Sequence, residues 1–245
     1  MATYNKKRDQ KNPRHQPQAV SAFFYSLVLV FSGACLGFLL FAKHQPQAVA
    51  DASELNRVLT AAAEINKINP KVAYYLRPPS ARGDRWQLIR TALAETNQPV
   101  VVAAADVNGW LQSLIIPPPV SADKPMNGLV VKQIQLAFPA ANSVQWTISA
   151  DNYQFGKKFP VVLIFEGDVL SNATGVTFFN LRSRINAAPI PPVPGLQKAL
   201  LGAILRPLVE NHDYAIVQSA FKQAAALKID TVSNSATFYF DEQLR

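Results

Sequence analysis

Twenty-two consecutive residues, Val20 to Phe41, carry no charged side chain. They read VSAFFYSLVLVFSGACLGFLLF, and no other stretch of the chain is so restricted in what it can become. About 20 apolar residues suffice for a helix to cross a bilayer. A helix also satisfies its own backbone hydrogen bonds, which lipid cannot do. A transmembrane helix is therefore expected over residues 20–42. A buried core helix is the alternative, but an uncharged run of this length is rare in a soluble core.

The flanks set an orientation. The basic tail, residues 1–19, holds Lys6, Lys7, Arg8, Lys11 and Arg14 against Asp9, while Lys43 is followed by Asp51 and Glu54. Positive residues stay on the cytoplasmic side of short flanks. The expectation is a single-pass protein of the inner (plasma) membrane, with a cytoplasmic N-terminus. Residues from about 44 onward would lie in a periplasmic or extracellular space. A cleaved export signal stays open, because Ala48-Val49-Ala50 has the small-x-small form of a cleavage site near Ala50. Cys35 is a poor lipidation site, since the apolar run continues past it. Gly33 and Gly37 form a GxxxG, a spacing that lets two helices approach and allows a homodimer. The hexapeptide HQPQAV occurs twice, at His15–Val20 and His44–Val49, consistent with a local duplication.

Roughly 200 residues follow the span, enough for one domain with a full core. Charged residues make up 16% and apolar ones 49% of the chain, and its one cysteine lies inside the apolar run. The outside part must hold together by packing rather than by disulfides. The net charge of +8 is shared roughly evenly between tail and outside part. A mild basic excess there favours anionic lipid headgroups, and no nucleic-acid partner is expected.

Periodicity organises the outside part. Residues 51–68 repeat apolar positions at three and four, as a helix does, with Asp51 and Glu54 at capping-box spacing. Trp86 to Thr96 reads as a second short helix. Residues 43–98 are thus expected as a helical linker or hairpin, ahead of an α+β domain over 99–245. Val100–Ala103 reads as a short strand, and ADVNGWLQSLI as a helix with Val107, Trp110, Leu111 and Leu114 inward. Four alternating stretches follow. One face carries Val130, Ile134, Leu136 and Phe138, interrupted by Lys132, then Val144, Trp146 and Ile148. It continues with Phe159, Val161, Leu163, Phe165 and Val169, and ends with Phe179, Leu181 and Ile185. Period two with short turns means a long antiparallel meander. Val162 and Ile164 make its second face partly apolar, so something must cover it. The helix LQKALLGAILRPLV, with Leu196, Leu200, Ile204 and Leu208 in one stripe, is the expected cover. A helix from about Tyr214 to Leu227 and a terminal strand over KIDTVSNSATFYF complete the chain.

Catalytic chemistry is hard to assemble from these residues. Of three histidines, only His212 lies in the folded part. No GxSxG elbow, GxxxxGK[ST] loop or GxGxxG turn occurs. Glu166 and Asp168 read as solvated strand residues, and Glu210-Asn211-His212-Asp213 as a helix cap and turn. Arg82-Gly83-Asp84 reads as a turn. Arg77, Arg82, Arg85 and Arg90 gather around Trp86 as a solvated edge. No enzyme, metal site or cofactor is expected.

The ADVNGWL helix start, the amphipathic meander, the Pro-rich PIPPVPG and the apolar helix after it occur in a suggestive order over roughly the last 140 residues. In layout they resemble membrane-anchored bacterial envelope proteins with a tubular lipid-binding (TULIP-like) domain. Pro189–Pro194 and the following helix match best. The resemblance implies a curved sheet wrapped on a helix, with an apolar groove for lipid. The expected function is binding of a lipid or other apolar ligand, with Trp146, Phe165, Phe179, Leu200 and Ile204 as lining residues. The alternative is a scaffold or assembly subunit that holds an envelope protein partner.

Overall fold

The computed structural model describes residues 19–65, 73–95, 98–115, 128–154, 157–172, 175–191, 193 and 195–240. The basic tail up to residue 18 and the end of the 51–68 helix lie outside the described residues. The chain forms two compact units, Met1–Leu39 and Leu40–Arg245.

In the first unit, α1 begins at Ala19 and the helix runs to Ala42, 24 residues with no acidic residue in its first turn and no basic residue in its last. Its side chains are described from Ser26 to Leu40 and at Ala42. Over the described residues, no helix is long and apolar enough to cross a membrane. Leu27, Leu29, Val30, Phe31, Leu36 and Leu39 stand exposed along it.

The second unit is α+β. It contains β1 (Gln47–Val49), α2 (Ala52–Ile65), β2 (Tyr74–Leu76), α3 (Trp86–Glu95), β3 (Val100–Ala103) and α4 (Ala104–Leu114). The meander comes next as β4 (Gly128–Ala140), β5 (Ser143–Gln154), β6 (Lys157–Asn172), β7 (Gly175–Ile185) and β8 (Ala188–Pro189). The chain continues with α5 (Leu196–Ile204), α6 (Arg206–Val209), α7 (His212–Gln223), β9 (Ala226–Asp230) and β10 (Ser235–Tyr239). The meander is a five-stranded antiparallel sheet in chain order. β3, β10 and β9 form a second antiparallel sheet, and β1 pairs with β2 in parallel.

Alternation sorts the meander into two faces. The first carries Ile134, Leu136, Val144, Ile148, Leu163 and Phe165 into the main core, which also takes Trp86, Ile89 and Leu93 of α3 and Val107, Trp110 and Leu111 of α4. Ile204, Leu208, Ala220, Ile229, Ala236 and Phe238 close it. The second face carries Ala137, which joins Val49, Leu55 and Leu76 in a smaller cluster.

This arrangement corrects several expectations. Residues 43–98 are no linker: α3 lies in the main core, while β1, α2 and β2 cover part of the second face. The LQKALLGAIL helix does not provide that cover, because Leu200, Leu201 and Leu205 pack on the main core. Lys132 interrupts the pattern because a bulge falls between Val131 and Gln133. It sends Val130 to the face opposite Ile134 and brings Val131 to the core side. A second irregularity, between Glu166 and Asp168, pairs Asp168 with Phe179. Phe179 thereby leaves the side of Leu181 and Ile185 and is 41% exposed. The last stretch is a hairpin, not one strand: Asp230 accepts hydrogen bonds from Val232 N and Ser233 Oγ, and Asn234 takes a positive φ of 51°. Val232 sits on that turn at 96% exposure. Pro207 does break the apolar helix, at Leu205 between α5 and α6.

Candidate functional site

Three buried amide side chains join the elements, each by mimicking a peptide group. Asn108 of α4 is fully buried; its Oδ1 accepts from Leu136 N at 2.6 Å, and its Nδ2 donates to Leu136 O at 3.1 Å and Pro79 O at 3.0 Å. Gln145 on the second face accepts from Leu76 N at 3.0 Å and donates to Leu76 O at 2.7 Å. This pairing docks β2 on the meander. Asn186, in the left-handed region at φ 51°, accepts from Val162 N at 2.8 Å and donates to Ala42 O at 2.6 Å. Buried polar groups left without such partners would be costly, so these amides fix where each element sits.

Several charged residues are also paired. On the second face, Asp151 receives Lys132 at 2.7 Å and Lys158 at 2.8 Å, one from each neighbouring strand. Burial works against the Asp151 charge, but the two ammonium groups outweigh it and hold the carboxyl below its ordinary range. Arg182 bridges Glu166 and Asp168, both at 3.1 Å. Arg90 and Trp86 Nε1 grip Asp213 at 2.9 and 3.0 Å, tying α3 to the first turn of α7. Trp86 also stacks on Trp110, ring centroids 4.2 Å apart. Asn211 caps α7 by accepting from Asp213 N, as the turn reading of Glu210–Asp213 expected. Arg82-Gly83 lies against Gly109 of α4, where a Cβ would collide with Arg82 O and Gly83 Cα. Among the described residues, no three His, Cys, Asp or Glu side chains gather to hold a metal ion.

An apolar cavity of about 190 Å³ opens between α4, the start of β4 and α6. Leu111, Leu114 and Ile115 line one wall, Leu129, Val130, Val131 and Ile134 the second, and Ile204, Pro207 and Leu208 the third. Of the five lining residues expected from the sequence, only Ile204 reaches it. Phe165 is wholly buried core, Trp146 and Leu200 are partly buried against that core, and Phe179 faces the other way. In α1, a Cβ at Gly33 or Gly37 would meet nothing within 4 Å. The cavity walls escaped sequence reading because Leu114 and Leu129 flank the Pro-rich stretch 117–119 and come together only through the docking of α4 on β4. The signal was present in ADVNGWL, where Asn108 holds an otherwise apolar helix face. Neither family models, curated proteins nor solved structures give a match to this chain.

Proposed function

We propose that this protein is a single-pass envelope protein whose outer unit binds an apolar ligand, an acyl segment of a membrane lipid, without catalysis. The cavity carries the proposal. A methylene takes about the volume of a water, about 30 Å³, so 190 Å³ admits about six of them. At about 0.8 kcal/mol each, burial contributes about 5 kcal/mol. That is enough for binding with no charged contact, and it limits the ligand to part of a chain rather than a whole lipid. The layout likeness to tubular lipid-binding proteins supports the same class.

Anchoring by α1 is part of the reading. The uncharged run Val20–Phe41 motivates it: 22 residues at about 1.5 Å each would reach about 33 Å, against about 30 Å of hydrocarbon, whereas the described residues of α1 alone do not make a span. β1 favours retention over cleavage near Ala50, because Val49 is buried and a cut there would remove a paired strand. The positive-inside flanks support a periplasmic or extracellular outer unit.

The test is titration of the detergent-solubilised full chain with a fluorescent fatty acid. Ile204→Trp fills the cavity and should weaken binding at least about tenfold, whereas Phe179→Ala should leave it unchanged. Unaltered affinity in Ile204→Trp refutes the site. The scaffold alternative rests on β3, an edge strand with Val101 exposed, which could accept a partner strand. Capture of one envelope protein by the wild type, lost in Val101→Pro, would favour it.

A further inference from the structure

The cavity, two exposed apolar residues, Leu129 and Phe159, and several lysines of the outer unit lie at one end of the meander. Leu129, Asn152 and Phe159 pair in one row across β4, β5 and β6. Leu129 and Phe159 share the core-side face but extend beyond its cover, at 43% and 47% exposure. Leu129 and Val131 line the cavity, so one of its walls lies at this row. The same end receives the start of the second unit. β7 stops opposite Leu163, so among the described residues the first part of β6 is met on that side by side chains and turns rather than by a strand. There Gln45 Nε2 donates to Pro160 O at 3.2 Å, Ala187 N to His44 O at 2.9 Å and Asn186 Nδ2 to Ala42 O at 2.6 Å.

Among the described residues, the charge at this end is mostly positive. Lys43 and Lys157 are exposed. Lys132 and Lys158 are half-exposed and share Asp151 on the other face of the sheet, so this end carries four lysines and one carboxylate among the described residues. Exposed phenyl and isobutyl groups flanked by lysines suit a headgroup boundary, where apolar tips insert and each lysine adds attraction to anionic lipid.

Resting on the anchored reading of the proposed function, we infer that the Leu129–Phe159 end of the outer unit seats on an anionic lipid surface, with the cavity mouth opening onto it. The ligand then enters from the membrane itself, as an acyl segment of an anionic lipid. The opposite end of the sheet serves as reference: Asn234 beside Val232 binds Phe138 N, nine residues along β4 from Leu129, or about 30 Å.

The test uses the full chain with Cys35→Ser and one new cysteine, Phe159→Cys or Val232→Cys, carrying an environment-sensitive dye. The protein is reconstituted into vesicles of phosphatidylcholine, alone or mixed with phosphatidylglycerol, with nitroxide-labelled lipid as quencher. Quenching at 159 and none at 232, stronger in the anionic vesicles, supports the inference. Adding Lys43→Glu and Lys157→Glu should cost roughly fivefold in seating per lysine. Equal signals at 159 and 232 overturn it while leaving anchoring intact, provided the protein resists an alkaline wash. Release by that wash refutes the anchor and the inference together. A dye at 159 shielded from water but not quenched by lipid means a protein occupies the surface, which also overturns it. Leu129→Cys repeats the measurement if Phe159→Cys does not fold.

Discussion

Asn108→Ala tests how the outer unit is joined. The substitution removes three hydrogen bonds made by a fully buried amide and leaves Leu136 N, Leu136 O and Pro79 O unpaired. A net contribution near 1 kcal/mol per bond, with an added penalty for orphaned buried groups, gives a loss of about 3–5 kcal/mol. Domains of this size are stable by about 5–15 kcal/mol, so the loss is a large share. With a guanidinium slope of about 4 kcal/mol per molar, the midpoint should fall by about 1 M. The assay is tryptophan fluorescence of the full chain in detergent. Trp86, Trp110 and Trp146 all lie in the second unit, so the signal reports that unit alone. Asn56 supplies the control: SELNRVL has the same pattern as ADVNGWL, yet Asn56 is exposed, and Asn56→Ala should change stability by under about 0.5 kcal/mol. Asn108→Asp adds a pH signature. Its carboxylate can accept from Leu136 N but cannot donate to the two carbonyls, so the variant's carboxyl should titrate above its unfolded value. Its defect should be smallest in acid and deepen as the pH rises through the folded pKa. A midpoint shift of Asn108→Ala below about 0.25 M, or one equal to that of Asn56→Ala, would refute the reasoning.

Two further outcomes rest on the contacts of α3 and α4. Burial opposes the charge on Asp213, but hydrogen bonds from Trp86 and Arg90 and the Arg90 charge hold its carboxyl below the usual range. Its stabilising share is therefore complete above about pH 4 and lost as the pH falls through the depressed folded value. Asp213→Asn should flatten that part of the stability–pH curve and cost about 1–2 kcal/mol at neutral pH, measured by denaturant unfolding. An unchanged acid limb would contradict the contact. Gly109→Ala should cost about 1–3 kcal/mol, because its methyl would meet backbone at Arg82 and Gly83 rather than a yielding side chain. Limited proteolysis near Arg82 should speed up, and an unaffected cleavage rate would count against the close approach.

The meander was legible because a half-buried strand repeats every two residues, and β4 to β7 fall close to their expected positions. What periodicity could not supply was where the repeat slips. One residue at Lys132 and one step near Gly167 reversed Val130 and Phe179, and a single slip moves a side chain to the other face. The covering of the second face was hidden for a different reason. It depends on Gln145 binding a peptide group 69 residues away, and a glutamine in a strand reads as solvent-facing until its partner is seen. Ile204, which the apolar stripe of the helix presents, stands on the cavity wall. Leu114 was assigned inward without a neighbour, and its neighbours come from β4, so no local pattern could bring them together.

The duplicated HQPQAV is a natural experiment in context. In its first copy Ala19 and Val20 are helical, at the start of α1; in its second, Gln47–Val49 is β1. Identical letters adopt opposite conformations because their downstream neighbours differ: an unbroken apolar run in one case, and a waiting strand at Tyr74–Leu76 in the other. If the two copies arose by duplication, the later one was recruited into a core by its surroundings rather than by its own preferences.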